Sequence, residues 1–387
     1  MTAFVRLHTV IIERGYWRYM DKPVVKTGKV LSYAGAFMAF LIGSGFATGQ
    51  EVLQYFTAYG LGGGLMVALT CVVLFIFVGG CFIAAGKREN FEKGSDVYRY
   101  YCGKYIGAFY DYFSIIFIFA SFIVMMGGAG ATLNQHFGLP TWIGSVGMMA
   151  LVCLTTIFGL KGIIDVIGKL GPIIAIFAIF LGVYSFLSNP SAVPVNSEAL
   201  LAGEITVKQV GNSWLSSASS YVGFCMLWLA AFLAAMGKNT NSVREGVLGT
   251  TFGAVGFTLG CTTMMLGLLA FLPEIAGSQI PALILAGKIG SWLAVIFSVI
   301  IFGGIFTTAV PLLWQVSSRF TKEGSKSFKI TTVACALVGT VIALFVPFDG
   351  LVNVIYGING YVGIILLAFI VVKEVRRLLK KKAAKIA

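Results

Sequence analysis

Charge is what this chain has least of: Asp, Glu, Lys and Arg make up 11% of its 387 residues, against 58% hydrophobic ones. A water-soluble protein carries roughly a quarter charged residues, so a soluble class is excluded and a membrane class follows, in line with a mean hydropathy of +0.91. Proline is also scarce, 9 residues against 48 glycines. Long apolar runs separate those glycines without any short period, which excludes collagen-like and low-complexity readings and suits close helix contacts within a bilayer. The seven cysteines fall mostly inside apolar stretches at no metal-ligand spacing, so they are expected to pack. No Ser-His-Asp order, His/Cys metal set or Gly-Lys-Ser/Thr phosphate loop stands out, so the chain does not read as an enzyme and no cofactor is expected. A cleavable signal is missing too, because the first 28 residues are polar or aromatic-basic and lack an apolar core. Two readings of that tail stay open: residues 5–20 as an amphipathic helix on the membrane, or an ordinary cytoplasmic start at Met20, followed by Asp21-Lys22-Pro23.

What is present is a series of apolar stretches of about 20 residues, long enough to cross a bilayer. Ten are predicted, near 30–57, 61–86, 106–135, 141–159, 163–187, 213–236, 246–272, 284–316, 329–347 and 350–372. Arg6, Arg14, Arg18, Lys22, Lys26 and Lys29 precede the first, and Lys373, Arg376, Arg377, Lys380, Lys381, Lys382 and Lys385 follow the last. Every second connection between them is basic, through Lys87, Arg88, Lys93, Arg99 and Lys104, Lys161 and Lys169, Lys238 and Arg244, and Arg319, Lys322, Lys326 and Lys329. The intervening connections hold only Lys208 and Lys288 beside Glu198, Glu204, Glu274 and Asp349. An even number of spans with both termini cytoplasmic in the plasma membrane satisfies the positive-inside rule. The net charge of +13 is therefore a topology signal and not a nucleic-acid footprint, although the basic C-terminal tail could also touch anionic headgroups.

The first stretch is interrupted by Ile42-Gly-Ser-Gly-Phe-Ala-Thr-Gly-Gln-Glu51. Irregular backbone at membrane depth is tolerated only where it faces protein or a watery cavity, so the interruption reads as a binding site. A first half-helix would end near residue 42 with exposed carbonyls suited to a cation, and a second would begin near Thr48 with exposed amides suited to an anion. Gly43, Ser44, Gly45, Thr48, Gly49, Gln50 and Glu51 are thus candidates for contact with a small-molecule solute, with a carboxylate docking on the amides near Thr48 and Gly49. Glu51 must face the protein interior. Three roles remain open for it: binding a substrate amine, carrying a coupled proton, or bonding the opposing break.

Each half of the chain, from Lys29 to about Ser188 and from Gly211 to about Lys373, holds five predicted spans, and an odd-numbered repeat must invert its topology. Ser216 to Cys225 brings small and polar residues to the corresponding place in span six, so a second break is expected there. Ser220, Tyr221, Phe224 and Trp228 join the candidate solute site, the aromatic residues at three- and four-residue spacing covering a ligand or packing the core. Span eight carries Phe302-Gly-Gly-Ile-Phe-Thr-Thr-Ala-Val-Pro311, where Thr307 and Thr308 could coordinate sodium or bond back to their own helix, and Pro311 can locally open the helix. Asp111 in span three is a second candidate for charge transfer, with an ion pair to a nearby base such as Lys104 as the alternative. Asn353, Tyr356, Asn359 and Tyr361 in span ten could gate an extracellular pathway or serve helix contacts. His136 reads as interfacial.

The motif of residues 42–51 within ten spans resembles the YkvI-like bacterial membrane proteins of the amino acid-polyamine-organocation superfamily. That resemblance implies a LeuT-like fold, all-α and integral to the membrane, with about ten transmembrane helices in a five-plus-five inverted repeat and broken helices one and six. The implied organisation is a cytoplasmic tail at 1–28, a first repeat at 29–188, an extracellular connection at 189–210, a second repeat at 211–373 and a basic tail at 374–387. It also implies a sodium site built from the carbonyls of Gly43, Phe46 and Gly304 with the hydroxyls of Thr307 and Thr308. The expectation is a secondary transporter that couples a small amino acid or related solute to sodium. The alternatives are proton coupling on the same fold and a non-transporting nutrient sensor.

Overall fold

The computed structural model describes residues 25–158 and 164–386. The residue 5–20 segment, the start at Met20 and the basic residue Lys161 lie outside them. Among the described residues the chain is all-helical. Eight helices are long and apolar enough to cross a membrane, or nine if the pair Ile174–Ser188 and Ala192–Leu201, bent by 97°, is one span. The protein is therefore a multi-pass membrane protein.

The first apolar stretch is broken as its glycines predict. Helix α1 (Thr27–Leu41) ends at an extended Ile42, a single helical turn α2 (Ser44–Ala47) follows, and α3 (Gln50–Tyr55) starts after a second interruption at Gly49. At 15 residues α1 is only about 22 Å long, short of the roughly 30 Å hydrocarbon core, so α2 and α3 complete its passage. Gly49 has φ of 82°, a left-handed conformation that costs a side chain about 1–2 kcal/mol, which is why glycine ends the turn here.

Long helices α4 (Gly60–Glu89), α5 (Asp96–Phe137), α6 (Thr141–Phe158) and α7 (Ile164–Ser188) follow, and then a short α8 (Ala192–Leu201) lies within the expected 189–210 connection. The second half contains α9 (Trp214–Asn239), α10 (Val243–Ala270), a short α11 (Pro281–Ile289), α12 (Ser291–Phe320), α13 (Lys326–Phe345) and α14 (Gly357–Ile386). A helical turn and one π turn, Phe348 to Tyr356, lead into α14.

Two expectations need correction. Span six is not broken: α9 is a continuous helix of 26 residues started by a capping box between Ser213 and Ser216. Serine hydroxyls can cap or bond along a helix without opening it, and no glycine in a left-handed conformation interrupts this one. Span eight begins at Ser291, and residues 281–289 form the separate helix α11, because Gly290 breaks the chain between them. Pro311 lies inside α12 without ending it.

α9 sits at the centre, against α4 on one side and α14 on the other, with α10 packed on α4, α1 and α7. Glycine permits the closest crossings. A Cβ on Gly86 or Gly237 would fall closer than 3.0 Å to backbone carbonyls of Ala234 or Ile83, and one on Gly363 would do so against Gly223.

The basic residues collect at one end of the bundle. Lys87 of α4 donates to the Thr240 carbonyl at 2.6 Å, Lys238 of α9 donates to that of Phe91 at 2.8 Å, and Arg88 approaches Glu374 of α14 at 3.6 Å. At the opposite end Lys208 pairs with Asp349 at 2.6 Å, and the Tyr59 hydroxyl donates to the Val210 carbonyl at 2.5 Å.

Candidate functional site

The break in the first stretch meets the middle of α9 around Glu51. The carboxylate is buried, 1% exposed, and the Tyr221 hydroxyl of α9 donates to its Oε2 at 3.3 Å. Its other oxygen packs against Gly45, whose missing side chain makes the room: a Cβ there would fall closer than 3.0 Å to Glu51 Oε1, Cγ and Cδ. The Phe46 amide faces the same carboxylate. Glu51 therefore lies against the start of α2 and puts a carboxyl group at the centre of the site, whereas a solute carboxylate was expected at the amides near Thr48 and Gly49.

Around it stand buried polar atoms that the protein pairs poorly. Gln50 Oε1 and Glu51 Oε1 have no hydrogen-bond partner, and the hydroxyls of Ser44, Ser220, Tyr55 and Tyr356 fall outside ordinary hydrogen-bond geometry. A dry core does not gather such atoms, because each costs about 1–3 kcal/mol when left unpaired. Two pairs lie side by side, Tyr55 with Ser220 and Tyr356 with Ser44. Thr48 and Gly49, by contrast, are tied into the fold: the Thr48 carbonyl accepts the Ala282 amide at 2.9 Å, and a Cβ on Gly49 would lie 3.2 Å from the Ala282 amide nitrogen.

The predicted aromatic face of α9 is partly inside this cluster. Tyr221 meets Tyr55 edge-on at 5.0 Å between ring centroids, and Phe224 stacks on Tyr356 at 4.8 Å. Trp228 lies further along, 5.5 Å from Tyr356, with its indole nitrogen donating to Ser121 at 3.3 Å, so its polar end is already used. Tyr55 was missed by sequence reasoning, although it lies four residues after Glu51 and so shares its helix face. Tyr356, read as an extracellular gate or a helix contact, lies at the centre, where it stacks on Phe224. Asn353 lies at the end of the bundle opposite the basic one, where it donates to Gln54 at 2.9 Å and to the Gln209 carbonyl at 3.0 Å.

At the candidate ion site the hydroxyls of Thr307 and Thr308 both donate to the Gly304 carbonyl at 3.0 Å, the back-bonding expected of threonine in a helix. Thr308 also reaches the first break, 3.4 Å from the carbonyl oxygen of Ile42. The carbonyls of Gly43 and Phe46, expected at this site, accept the amides of Ala47 and Gly49 at 3.0 Å. Four oxygens of residues 42, 304, 307 and 308 thus collect where α12 meets the break, a donor set that suits a hard cation. Among the described residues no group of His, Cys, Asp or Glu could hold a metal ion.

Asp111 does not belong to the centre. Arg319 of α12 donates to it at 2.9 Å at the basic end, replacing the expected partner Lys104.

The fold and the site define a helical membrane protein with a broken first span and a buried acidic centre. No protein-family profile matches the chain. It is similar to YkvI of Bacillus subtilis strain 168, described as an uncharacterized membrane protein, with 24% identity over 369 residues that cover 90% of this chain and 97% of that one. It is also similar to YyaD of the same organism, described as uncharacterized, with 26% identity over 298 residues covering 72% and 78%. Among solved structures, mutant forms of the manganese transporter of Eremococcus coleocola superpose with a TM-score of 0.49 at 13% identity, covering 88% of this chain and 77% of that one.

Proposed function

We propose that this protein is a secondary transporter that moves a small amino acid or related amine by alternating access, with sodium as the coupling ion. The observation that carries the reading is the broken first span, which holds a buried Glu51 amid polar atoms that the protein pairs poorly. A solute ammonium group placed at Glu51 Oε1 would pair with the carboxylate, while Ser44, Ser220, Tyr55 and Tyr356 would bond its remaining polar atoms. Tyr221 and Phe224 would cover its apolar part. Sodium would sit between Ile42, Gly304, Thr307 and Thr308, so that the ion and the solute brace the same break from opposite sides. On this reading the fold is a LeuT-like five-plus-five arrangement in the plasma membrane, both termini are cytoplasmic, and α1 to α3 move against α9 although α9 itself is continuous.

The test is thermal stability of the purified protein against a panel of amino acids, amines and carboxylates, each in sodium and in sodium-free buffer, because a ligand that binds the folded state raises its melting temperature. A solute that stabilises only with sodium, and that liposomes then accumulate under a sodium gradient, supports the proposal. Stabilisation indifferent to sodium moves the coupling to a proton on Glu51, the reading its unpartnered oxygen favours second. Binding without accumulation under either gradient points to a sensor.

A further inference from the structure

Away from the centre, at the basic end, the outward face of α14 forms one wall of a groove of about 910 Å³. Its lining changes character along the helix: Ile365, Ala368, Phe369 and Val372 are apolar, and Lys373, Arg376, Arg377 and Lys380 continue the same face one to two turns further on. Those positions recur every three or four residues, so an apolar stripe runs directly into a basic one. The opposite wall is the start of α5, where Gly103 leaves the helical conformation with φ of 79° and ψ of −174° and turns residues 96–102 aside from the rest of the helix. That bend opens the groove beside Tyr101 and Cys102.

Two of the cations already have work inside the protein. Lys373 donates to the Tyr100 carbonyl and lies over that ring at 3.4 Å, and Arg377 pairs with Glu374 at 2.7 Å. Arg376 and Lys380 have no acidic partner among the described residues and are exposed. Nearby on α5, Tyr105 is 84% exposed and Tyr112 65%, the placement of aromatic side chains at a membrane–water interface.

We infer that this groove is a binding site for one anionic phospholipid, with the headgroup phosphate held by Arg376 and Lys380 and an acyl chain lying on Ile365, Ala368, Phe369 and Val372. Charge complementarity selects an anionic headgroup, and the apolar half of the groove selects an amphiphile over a free phosphate ion. Basic pockets between helices near a membrane surface hold acidic lipids by the same combination. The site is separate from the solute site, so it stands whether or not the protein transports.

The experiment is native mass spectrometry of the full-length protein in detergent, titrated with phosphatidylglycerol, phosphatidylcholine or inorganic phosphate. Phosphatidylglycerol should be retained in preference to phosphatidylcholine, and inorganic phosphate should not displace it. Removing two surface cations in Arg376→Gln/Lys380→Gln should weaken retention roughly 20- to 30-fold. Val372→Trp keeps every charge and fills the groove, so it should also weaken retention severalfold. Equal retention of the two lipids, displacement by phosphate, or unchanged retention in Val372→Trp, which would reveal only diffuse attraction to a basic tail, each overturns the inference. A photoactivatable phosphatidylglycerol with its probe on the acyl chain should label residues 365–372 of the unaltered protein, and labelling confined to other helices would overturn it independently of any variant's folding.

Discussion

Replacing Gly45 with alanine separates the contact with Glu51 from every other effect at that position. Gly45 is buried in a helical turn and does not have a positive φ, so its backbone accepts alanine without strain, and the intrinsic helix preference favours the change by about 0.5–1 kcal/mol. Against that gain, the new methyl would lie 2.6 Å from Glu51 Cδ and closer still to Oε1 and Cγ. Overpacking of this kind costs about 1–3 kcal/mol, because the buried carboxylate has no solvent to retreat into. The net expectation is a loss of about 1–2 kcal/mol, together with loss of solute binding as the carboxylate is pushed off Tyr221. Glu51→Ala removes Cγ, Cδ and Oε1 together and should remove the clash. In that background Gly45→Ala should change sign and become neutral or stabilising, whereas in a Glu51→Gln background, where the side chain keeps its length, it should cost as much as in the unaltered protein. Thermal melting of the unaltered protein, the three single variants and the two double variants in one detergent completes both cycles. If Gly45→Ala costs the same in the Glu51→Ala background as in the unaltered protein, the placement of the carboxylate against the break is wrong.

Glu51→Gln should keep the fold and weaken an amine-bearing solute roughly 10- to 100-fold, the worth of one hydrogen bond to a charged group, as read by solute-dependent melting. Unchanged affinity with loss of pH-driven uptake would instead assign Glu51 to proton transfer. Thr308→Val should leave stability within about 1 kcal/mol, because the lost hydroxyl bonds mainly within its own helix, while abolishing the sodium dependence of uptake; undiminished sodium-driven uptake would sink the ion site. Gly49→Ala combines a left-handed φ of 82° with a Cβ 3.2 Å from the Ala282 amide nitrogen, and should cost about 1–3 kcal/mol and slow uptake. Wild-type melting of Gly49→Ala would show that the turn before α3 is looser than its geometry implies.

The membrane class and the broken first span were legible because each rests on a property local to the sequence. Apolar length defines a span, and glycines with polar neighbours inside one define a break, as Gly43 and Gly49 do. The pairing of Asp111 was harder to read: a carboxylate near a helix end invites a partner on its own helix, such as Lys104, but Arg319 comes from 208 residues away and only tertiary packing brings it there. Tyr55 and Tyr356 illustrate the same limit at the centre. Their helix faces are periodic, yet which face turns toward Glu51 depends on how α9 and α14 cross at Gly223 and Gly363.

The contrast between the two halves follows from what each residue type asks of the backbone. Gly49 adopts a left-handed conformation in which a side chain would impose strain, while Gly43 separates α1 from α2 in an extended conformation. The serines of α9 ask for nothing outside helical geometry: Ser216 closes the capping box and Ser217 donates across to the Tyr55 carbonyl at 2.7 Å, with the helix intact. Polar residues at mid-membrane therefore mark the site in both halves, but only the half with glycine at the turns can break. The consequence for mechanism is directional. On the proposed transport cycle, a continuous α9 presents Ser220, Tyr221 and Phe224 from a rigid face, and the movement that opens the site comes from the segmented first span, whose joints at residues 42–43 and 48–49 bracket the turn on which Glu51 packs.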